Sequence, residues 1–154
     1  MSGAADRLAA LGLTLPPVTA PVAAYVPAVR TGSYVYVSGQ LPVVDGKLPA
    51  TGKVGDAVSA QDAAGLARTC ALNALAAAAE AAGGLDAIVR IVKVLGFVAS
   101  APGFNGQPQV VNGASELLIE VFGEAGRHAR SAVGVAELPL DAPVEVELIA
   151  EVRA

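Results

Sequence analysis

The sequence has no tryptophan, and only one cysteine, one methionine and one histidine among its 154 residues. A single cysteine, Cys70, has no partner for an internal disulfide, which fits a reducing compartment and favours a cytoplasmic location. One cysteine and one histidine cannot form a metal cluster without several carboxylates, so we expect no metal site. No nucleophile is marked for the lone His128, and no phosphate-binding glycine motif precedes a helix. We therefore expect neither a Ser-His-Asp hydrolase nor a bound cofactor.

Positive charge and long apolar runs are also scarce. Ten Lys and Arg against 14 Asp and Glu give a net charge of −4, and no basic cluster is present, which argues against nucleic-acid binding. Apolar residues make up 54% of the chain, yet charged and polar residues interrupt the longest apolar stretches. These interruptions are Arg68, Asn73, Glu80, Arg90 and Lys93. We therefore expect no membrane partner, and a homo-oligomer whose interfaces hold the apolar surplus.

The order of apolar patterns predicts strand, strand, helix, strand, helix, strand, strand. Alternation predicts strands at 24–29, 34–40 and 89–98 and in two valine-rich runs after residue 128, and helices at about 57–82 and 109–123. This order predicts a two-layer α/β sandwich of the α+β type, a mixed sheet with two main helices on one face. We expect one domain at 21–154. Residues 1–20 lack the features of a signal peptide and are expected to form an extension with a short helix.

The two C-terminal runs contain the principal candidate for ligand binding. In the second run, Val144 and Val146 alternate with Glu145 and Glu147, as in a strand with one buried face. The first run places Arg130 on one face beside small residues, where its guanidinium can bind both oxygens of a carboxylate. On strand parity alone, an ion pair between Arg130 and a neighbouring glutamate such as Glu147 is favoured over ligand binding.

Several short motifs occur in consistent order over residues 20–153. They are Tyr25-Val26, Ser38-Gly39-Gln40-Leu41-Pro42, Ala129-Arg130-Ser131-Ala132-Val133, Leu138-Pro139 and Val144-Glu145-Val146-Glu147. Together they resemble the RidA (YjgF) family of reactive-intermediate imine/enamine deaminases. The resemblance implies a chorismate-mutase-like fold, a homotrimer with sites in the clefts between subunits, and hydrolysis of small 2-imino acids to 2-oxo acids and ammonia.

The resemblance also implies roles for individual residues. Arg130 falls on the position that binds the substrate carboxylate, and Glu145 on a glutamate that can orient or deprotonate water. Tyr25 falls on the site tyrosine, whose hydroxyl can donate to ligand or water. Gly39 would offer backbone groups at close approach. Asn112 falls on an asparagine that opens the second helix near the cleft, although a capping role is equally open.

Two features depart from the family pattern. Ala132 replaces a cysteine that is often present, so any role of that thiol is absent while its backbone contacts to substrate remain. The loop at 101–108 is longer than in the best-known deaminases. These departures keep open a non-catalytic trimer of the same fold that binds a small carboxylate. An RNA-cleaving activity, a label sometimes given to this family, ranks last because of the acidic charge balance. His128 is either structural or, through its closeness in sequence to Arg130, a proton carrier.

Overall fold

The computed structural model describes residues 2–18, 20–21 and 23–154. In chain order the elements are helix α1 (Ala4–Ala10), strands β1 (Ala28–Thr31) and β2 (Tyr34–Gln40), helix α2 (Ala60–Ala82), strand β3 (Ile88–Ala99), helix α3 (Gln107–Phe122), and strands β4 (Ala129–Val135) and β5 (Val144–Val152). Short 3-10 turns occupy Leu85–Ala87, Gly123–Gly126 and Pro139–Asp141. After α1, the order of helices and strands is the predicted one.

The five strands form one mixed sheet in the order β1-β2-β5-β3-β4. Only the β3–β4 pair is parallel, because α3 crosses over between these strands, and the other neighbours are antiparallel. Helix α2 packs on β2 and β5, and α3 packs on β3 and β4. Both main helices therefore cover the same face, which confirms the predicted two-layer α+β sandwich with a mixed sheet.

Strand β5 separates the two faces of the sheet. Its alternate residues Val144, Val146 and Leu148 are buried beneath the helices. Glu145 and Glu147 point to the other face, as the alternation predicts. That second face, called the open face below, carries large apolar side chains left partly or largely exposed. They include Val29 of β1, Tyr34 and Tyr36 of β2, Leu95 and Phe97 of β3, Val133 of β4 and Ile149 of β5.

Helix α2 is bounded by the residues that the sequence indicates. The Ser59 side chain accepts a hydrogen bond from the backbone N–H of Asp62 at 3.1 Å, and Gly83 ends the helix with a left-handed backbone at φ 89°. Nine of the eleven buried residues in α2 are alanine. Small side chains let the neighbouring helix approach closely: a Cβ added at Gly113 of α3 would collide with the carbonyl oxygen of Ala64.

The predicted starts of three elements differ from the structure. Helix α2 begins at Ala60 rather than at about residue 57, because Ser59 caps it. The first strand begins at Ala28 rather than residue 24, because residues 23–25 form a bend. Helix α3 begins at Gln107, two residues earlier than expected, since Pro108 occupies the first turn, where its missing N–H is tolerated.

In the N-terminal segment, α1 packs on α3 with Leu8 buried. Met1 and Thr19, which belong to the predicted extension 1–20, lie outside the described residues.

Within the described ranges, no helix combines the length and apolar character needed to cross a membrane.

Candidate functional site

Arg130 lies on edge strand β4 and faces the helices. It pairs in register with Val94 of β3, which is fully buried beneath them. Its Nη1 donates to Oδ1 of Asn112 at 2.8 Å and to Oγ of Ser115 at 3.2 Å, and its Nη2 lies 3.4 Å from the carbonyl oxygen of Pro108. All three acceptors are neutral. The guanidinium is thus held in place while its charge stays uncompensated.

The alternative that Arg130 pairs with Glu147 is wrong. Glu147 of β5 lies opposite Leu95 on the open face, whereas Arg130 of β4 faces the helices and is separated from β5 by β3. The ion pairs among the described residues are Lys53–Glu137, Arg68–Glu120 and Arg127–Glu124, and none of them includes Arg130. Arg130 instead lines a surface cavity of about 210 Å³ together with Ser115 and His128.

Asn112 and Ser115 belong to the interior of α3. They are three residues apart, so their side chains lie on the same side of the helix, towards β4. The capping role considered for Asn112 is wrong, because α3 begins at Gln107 with Gly106 at the capping position. No sequence motif marks Ser115 as a site residue. The three-residue spacing between Asn112 and Ser115 was the available signal. It indicates a site residue only when α3 is known to pack against Arg130.

His128 completes this hydrogen-bonded group. Its Nδ1 lies 2.6 Å from the carbonyl oxygen of Gly126, which can only accept, so Nδ1 carries a hydrogen. In the neutral ring Nε2 then accepts from the hydroxyl of Ser115 at 2.8 Å. Burial lowers the pKa of His128; the Gly126 carbonyl opposes this shift and the charge of Arg130 adds to it. The imidazole is accordingly neutral at pH 7.

Glu145 lies on the open face, beside Gly39 at the end of β2. A Cβ added at Gly39 would collide with the Glu145 carboxyl group, so glycine is what allows the two to meet. Burial, and to a smaller extent the charge of Glu147, raises the pKa of Glu145. A carboxyl group with a raised pKa is suited to exchanging protons with a reacting water molecule.

Tyr25 is 57% exposed and lies in a groove of about 470 Å³ that also contains Gly39. The segment that carries Tyr25 is tied to β2, because Oγ of Ser38 donates to the carbonyl oxygen of Val26 at 2.6 Å. Tyr25, Gly39 and Glu145 thus come from segments that meet at one end of β2 and β5.

The six predicted site residues therefore form two groups in a single copy of the chain. Arg130 and Asn112 are in contact, and Ala132 follows Arg130 on the same side of β4. The second group consists of Glu145 and Gly39, which meet, and Tyr25, which lies in the adjoining groove. Arg130 and Glu145 lie on opposite faces of the sheet, with β3 between their strands. One copy does not join the two groups.

The loop before α3 is fixed by internal contacts. Phe104 packs against the core, and Nε2 of Gln107 donates to the carbonyl oxygen of Phe104 at 2.8 Å and to Oγ of Ser100 at 3.1 Å. This folded-back loop leads into Pro108, whose carbonyl faces Arg130. Among the described residues, no group of three or more His, Cys, Asp or Glu side chains is placed to hold a metal ion.

Comparison with known proteins identifies the relatives of this chain. A family model described as "YjgF/chorismate mutase-like, putative endoribonuclease" matches residues 5–152. The chain belongs to the YjgF family. Protein TCP17 of Trypanosoma cruzi is 45% identical over 97% of this chain and 94% of its own. The crystal structure of Atu1372 from Agrobacterium tumefaciens, a protein of unknown function, is 48% identical, with a TM-score of 0.90 over 97% of this chain and 93% of that one.

Another YjgF-family structure contains a bound ligand. Escherichia coli TdcF with bound serine is 31% identical to this chain, with a TM-score of 0.65 over 91% of this chain and 94% of that one. The resemblance drawn from the motifs is thereby confirmed. The backbone agrees more closely with Atu1372 than with TdcF.

Proposed function

We propose that this protein is an imine/enamine deaminase, which hydrolyses small 2-imino acids to 2-oxo acids and ammonia. The observation that carries the proposal is Arg130: its guanidinium is held by neutral acceptors at a small cavity, with its charge unpaired. A fixed, uncompensated cation with a fork of N–H donors is the group that binds a carboxylate. The serine bound by TdcF, an amino acid with such a carboxylate, is consistent with this ligand class.

The proposed reaction begins with the carboxylate on Arg130, each charge-assisted bond contributing about 1.5–3 kcal/mol. Glu145 then takes a proton from a water molecule as its oxygen attacks the imine carbon. The C=N bond becomes single and its nitrogen takes up the proton held by Glu145, which gives a carbinolamine. Glu145 then removes the hydroxyl proton as the C=O bond forms and transfers it to the nitrogen, so that the C–N bond breaks and ammonia leaves. Tyr25 and the backbone at Gly39 would donate to the ligand or the water, while the backbone at Ala132 would contact the carboxylate. Because an imine already reacts with water, positioning alone supplies useful acceleration, with no metal or cofactor.

The proposed site is shared between two copies, because one copy keeps Arg130 and Glu145 on opposite faces of its sheet. A homotrimer would provide three such boundaries, each joining the Arg130 group of one subunit to the Glu145 group of the next. The apolar side chains of the open face support this assembly, since a neighbouring subunit would remove them from water. We propose a cytoplasmic location on the basis of the single, buried Cys70.

The direct test is ammonia and 2-oxobutanoate release from 2-iminobutanoate generated in situ. We expect the protein to accelerate release over the spontaneous reaction in a concentration-dependent way. Equal rates with and without the protein would contradict the proposal.

A mixing experiment tests whether the site is shared. Arg130→Ala and Glu145→Gln variants are expected to be inactive alone, because each lacks one half of every site. When both are unfolded together and refolded as mixed trimers, boundaries with one intact Arg130 and one intact Glu145 should restore roughly a quarter of the wild-type activity. Deaminase assays after mixing, beside the two variants refolded separately, measure this recovery. No recovery in verified mixed trimers would place both residues on the same subunit's site.

Glu145→Gln is also expected to stabilise the fold while abolishing deamination. The pKa of Glu145 is higher in the folded protein than in the unfolded chain, so the ionised carboxylate opposes folding at neutral pH. That opposition disappears as the pH falls through the folded-state pKa. Glutamine is uncharged at every pH, so the melting temperature at pH 7 should rise by a few degrees.

Glu147→Gln is the matched control for Glu145→Gln. Because the charge of Glu147 raises the pKa of Glu145, its removal should keep the activity and move the acid limb of the pH–rate profile to lower pH. A Glu145→Gln protein that melts earlier than the wild type, or retains full activity, would contradict the assigned role.

A non-catalytic carboxylate-binding trimer is the second candidate, favoured by Ala132 at the position where the family often has cysteine. Calorimetry with 2-oxobutanoate would then show binding that is lost in Arg130→Ala, with no turnover of 2-iminobutanoate. RNA cleavage ranks third because of the net charge of −4. Incubation with labelled RNA at low salt, with no binding and no cleavage expected, tests it.

A further inference from the structure

A continuous line of hydrogen bonds connects Arg130 to the backbone through two side chains that have no assigned role. Nη1 of Arg130 donates to Oγ of Ser115, the Ser115 hydroxyl donates to Nε2 of His128, and Nδ1–H of His128 donates to the carbonyl oxygen of Gly126. Each hydrogen atom of this relay meets one acceptor, so the direction of every bond is determined when the imidazole is neutral.

The relay limits how the guanidinium can lie. Ser115 is 9% exposed, and its oxygen has little access to water that could replace Arg130 as a donor. Asn112 and Ser115 bind the same nitrogen of Arg130, which orients the plane of the guanidinium as well as its position. A planar fork that is already oriented loses less entropy when it binds a carboxylate than a freely rotating side chain does.

We propose that Ser115 and His128 are positioning residues that orient Arg130 for an incoming carboxylate, and that the proton on His128 and the bound carboxylate stabilise each other. This inference rests on the proposed function in one respect, namely that Arg130 binds a carboxylate. A ligand anion on Arg130 offsets the positive charge that disfavours an imidazolium two hydrogen bonds away. By linkage, protonated His128 then raises the affinity for the anion by the same factor.

Other charged groups lie around the imidazole, and they are the same residues in every protein that is compared. Arg127 precedes it and is paired with Glu124, Arg90 of β3 donates to the carbonyl oxygen of Arg127, and Glu151 of β5 lines the cavity beside them together with Tyr34. A change in the His128 titration on ligand binding therefore reports on Arg130.

The experiment uses the fact that His128 is the only histidine of the chain. The C2 proton of its imidazole is titrated by NMR from pH 5 to 8, with and without saturating 2-oxobutanoate, while calorimetry measures 2-oxobutanoate affinity over the same range. In the wild type we expect the midpoint to move to higher pH with ligand, and the affinity to rise as the pH falls through the midpoint.

Three variants separate positioning from a general structural effect. Ser115→Ala should weaken binding roughly tenfold at pH 8, where His128 is neutral, and reduce the response of His128 to ligand. His128→Gln keeps an acceptor for Ser115 without a titrating proton, so it should bind like the wild type at pH 8 and lose the rise in affinity at acid pH. Arg130→Gln should lose binding and raise the His128 midpoint without ligand.

The possible failures are distinguishable. If the wild type binds 2-oxobutanoate and Arg130→Gln does not, but Ser115→Ala binds normally and the His128 midpoint ignores ligand, the relay has no positioning role and the proposed function stands. If the wild type binds no 2-oxobutanoate at any pH, both the proposed function and this inference are overturned. Circular dichroism melting of each variant verifies that it is folded.

Discussion

Arg130→Ala is expected to reduce kcat/KM for 2-iminobutanoate by roughly 100-fold or more, and to abolish detectable binding of 2-oxobutanoate. The expected loss is large because two charge-assisted bonds to one carboxylate disappear together. The groups that contact the guanidinium are Asn112, Ser115 and the Pro108 carbonyl, all uncharged, and the other arginine at this cavity, Arg127, is paired with Glu124. Initial-rate kinetics and calorimetry measure the two effects.

Arg68→Ala is the matched control. It removes the same charge from the helical surface, where Arg68 pairs with Glu120 at 2.9 Å, and such an exposed pair contributes at most about 1 kcal/mol to stability. Deamination should be unchanged. Arg130→Lys keeps the charge but loses the planar fork, so its activity should fall between those of Arg130→Ala and the wild type. If Arg130→Ala retained wild-type kcat/KM, the carboxylate role of Arg130 would be wrong.

Gly113→Ala is expected to be the most damaging small substitution for stability. Gly113 lies where α3 crosses α2, and a methyl group there would collide with the backbone carbonyl of Ala64. Backbone cannot move aside as a side-chain end can, so the helices must separate. We expect the free energy of unfolding to fall by about 2 kcal/mol or more. A lower melting temperature and a lower urea midpoint at unchanged slope would show the effect.

Gly65→Ala, in the neighbouring helix α2, is expected to have the opposite effect on stability. Gly65 lies within α2, is exposed, and a Cβ added there would meet nothing within 4 Å. Alanine should therefore stabilise the protein by up to about 1 kcal/mol through helix propensity alone. If both substitutions changed stability equally, close packing between α2 and α3 would not be the cause.

The sequence predicted the parts of the fold that depend on local periodicity. Alternation gave both faces of β5, and the predicted helix at about 57–82 ends at the residue where α2 ends, because caps and pleats are set by near neighbours. Helix α3 begins two residues before its predicted start, because Pro108 lies in the predicted loop although proline favours the first helical turn.

The site was predicted less completely because its contacts are between elements distant in sequence. The alternation of residues along β4 placed Arg130 on a face with small residues, but it could not show which helix packs on that face. Asn112 and Ser115 become its partners only because β4 runs parallel to β3 beneath α3. The contact between Gly39 and Glu145 similarly depends on β2 pairing with β5.

The alanine-rich interior of α2 has a consequence for how this protein can change in evolution. Alanine surrenders no side-chain freedom on folding, so the layer between helix and sheet is ordered at little entropic cost. The same close spacing leaves no room for branched or aromatic replacements at Ala67, Ala71, Ala74 or Ala78, all of which are fully buried. In a library of random variants, these positions should accept glycine or serine at reduced fitness and reject bulky residues, whereas the outward-facing Gln61 should tolerate most substitutions.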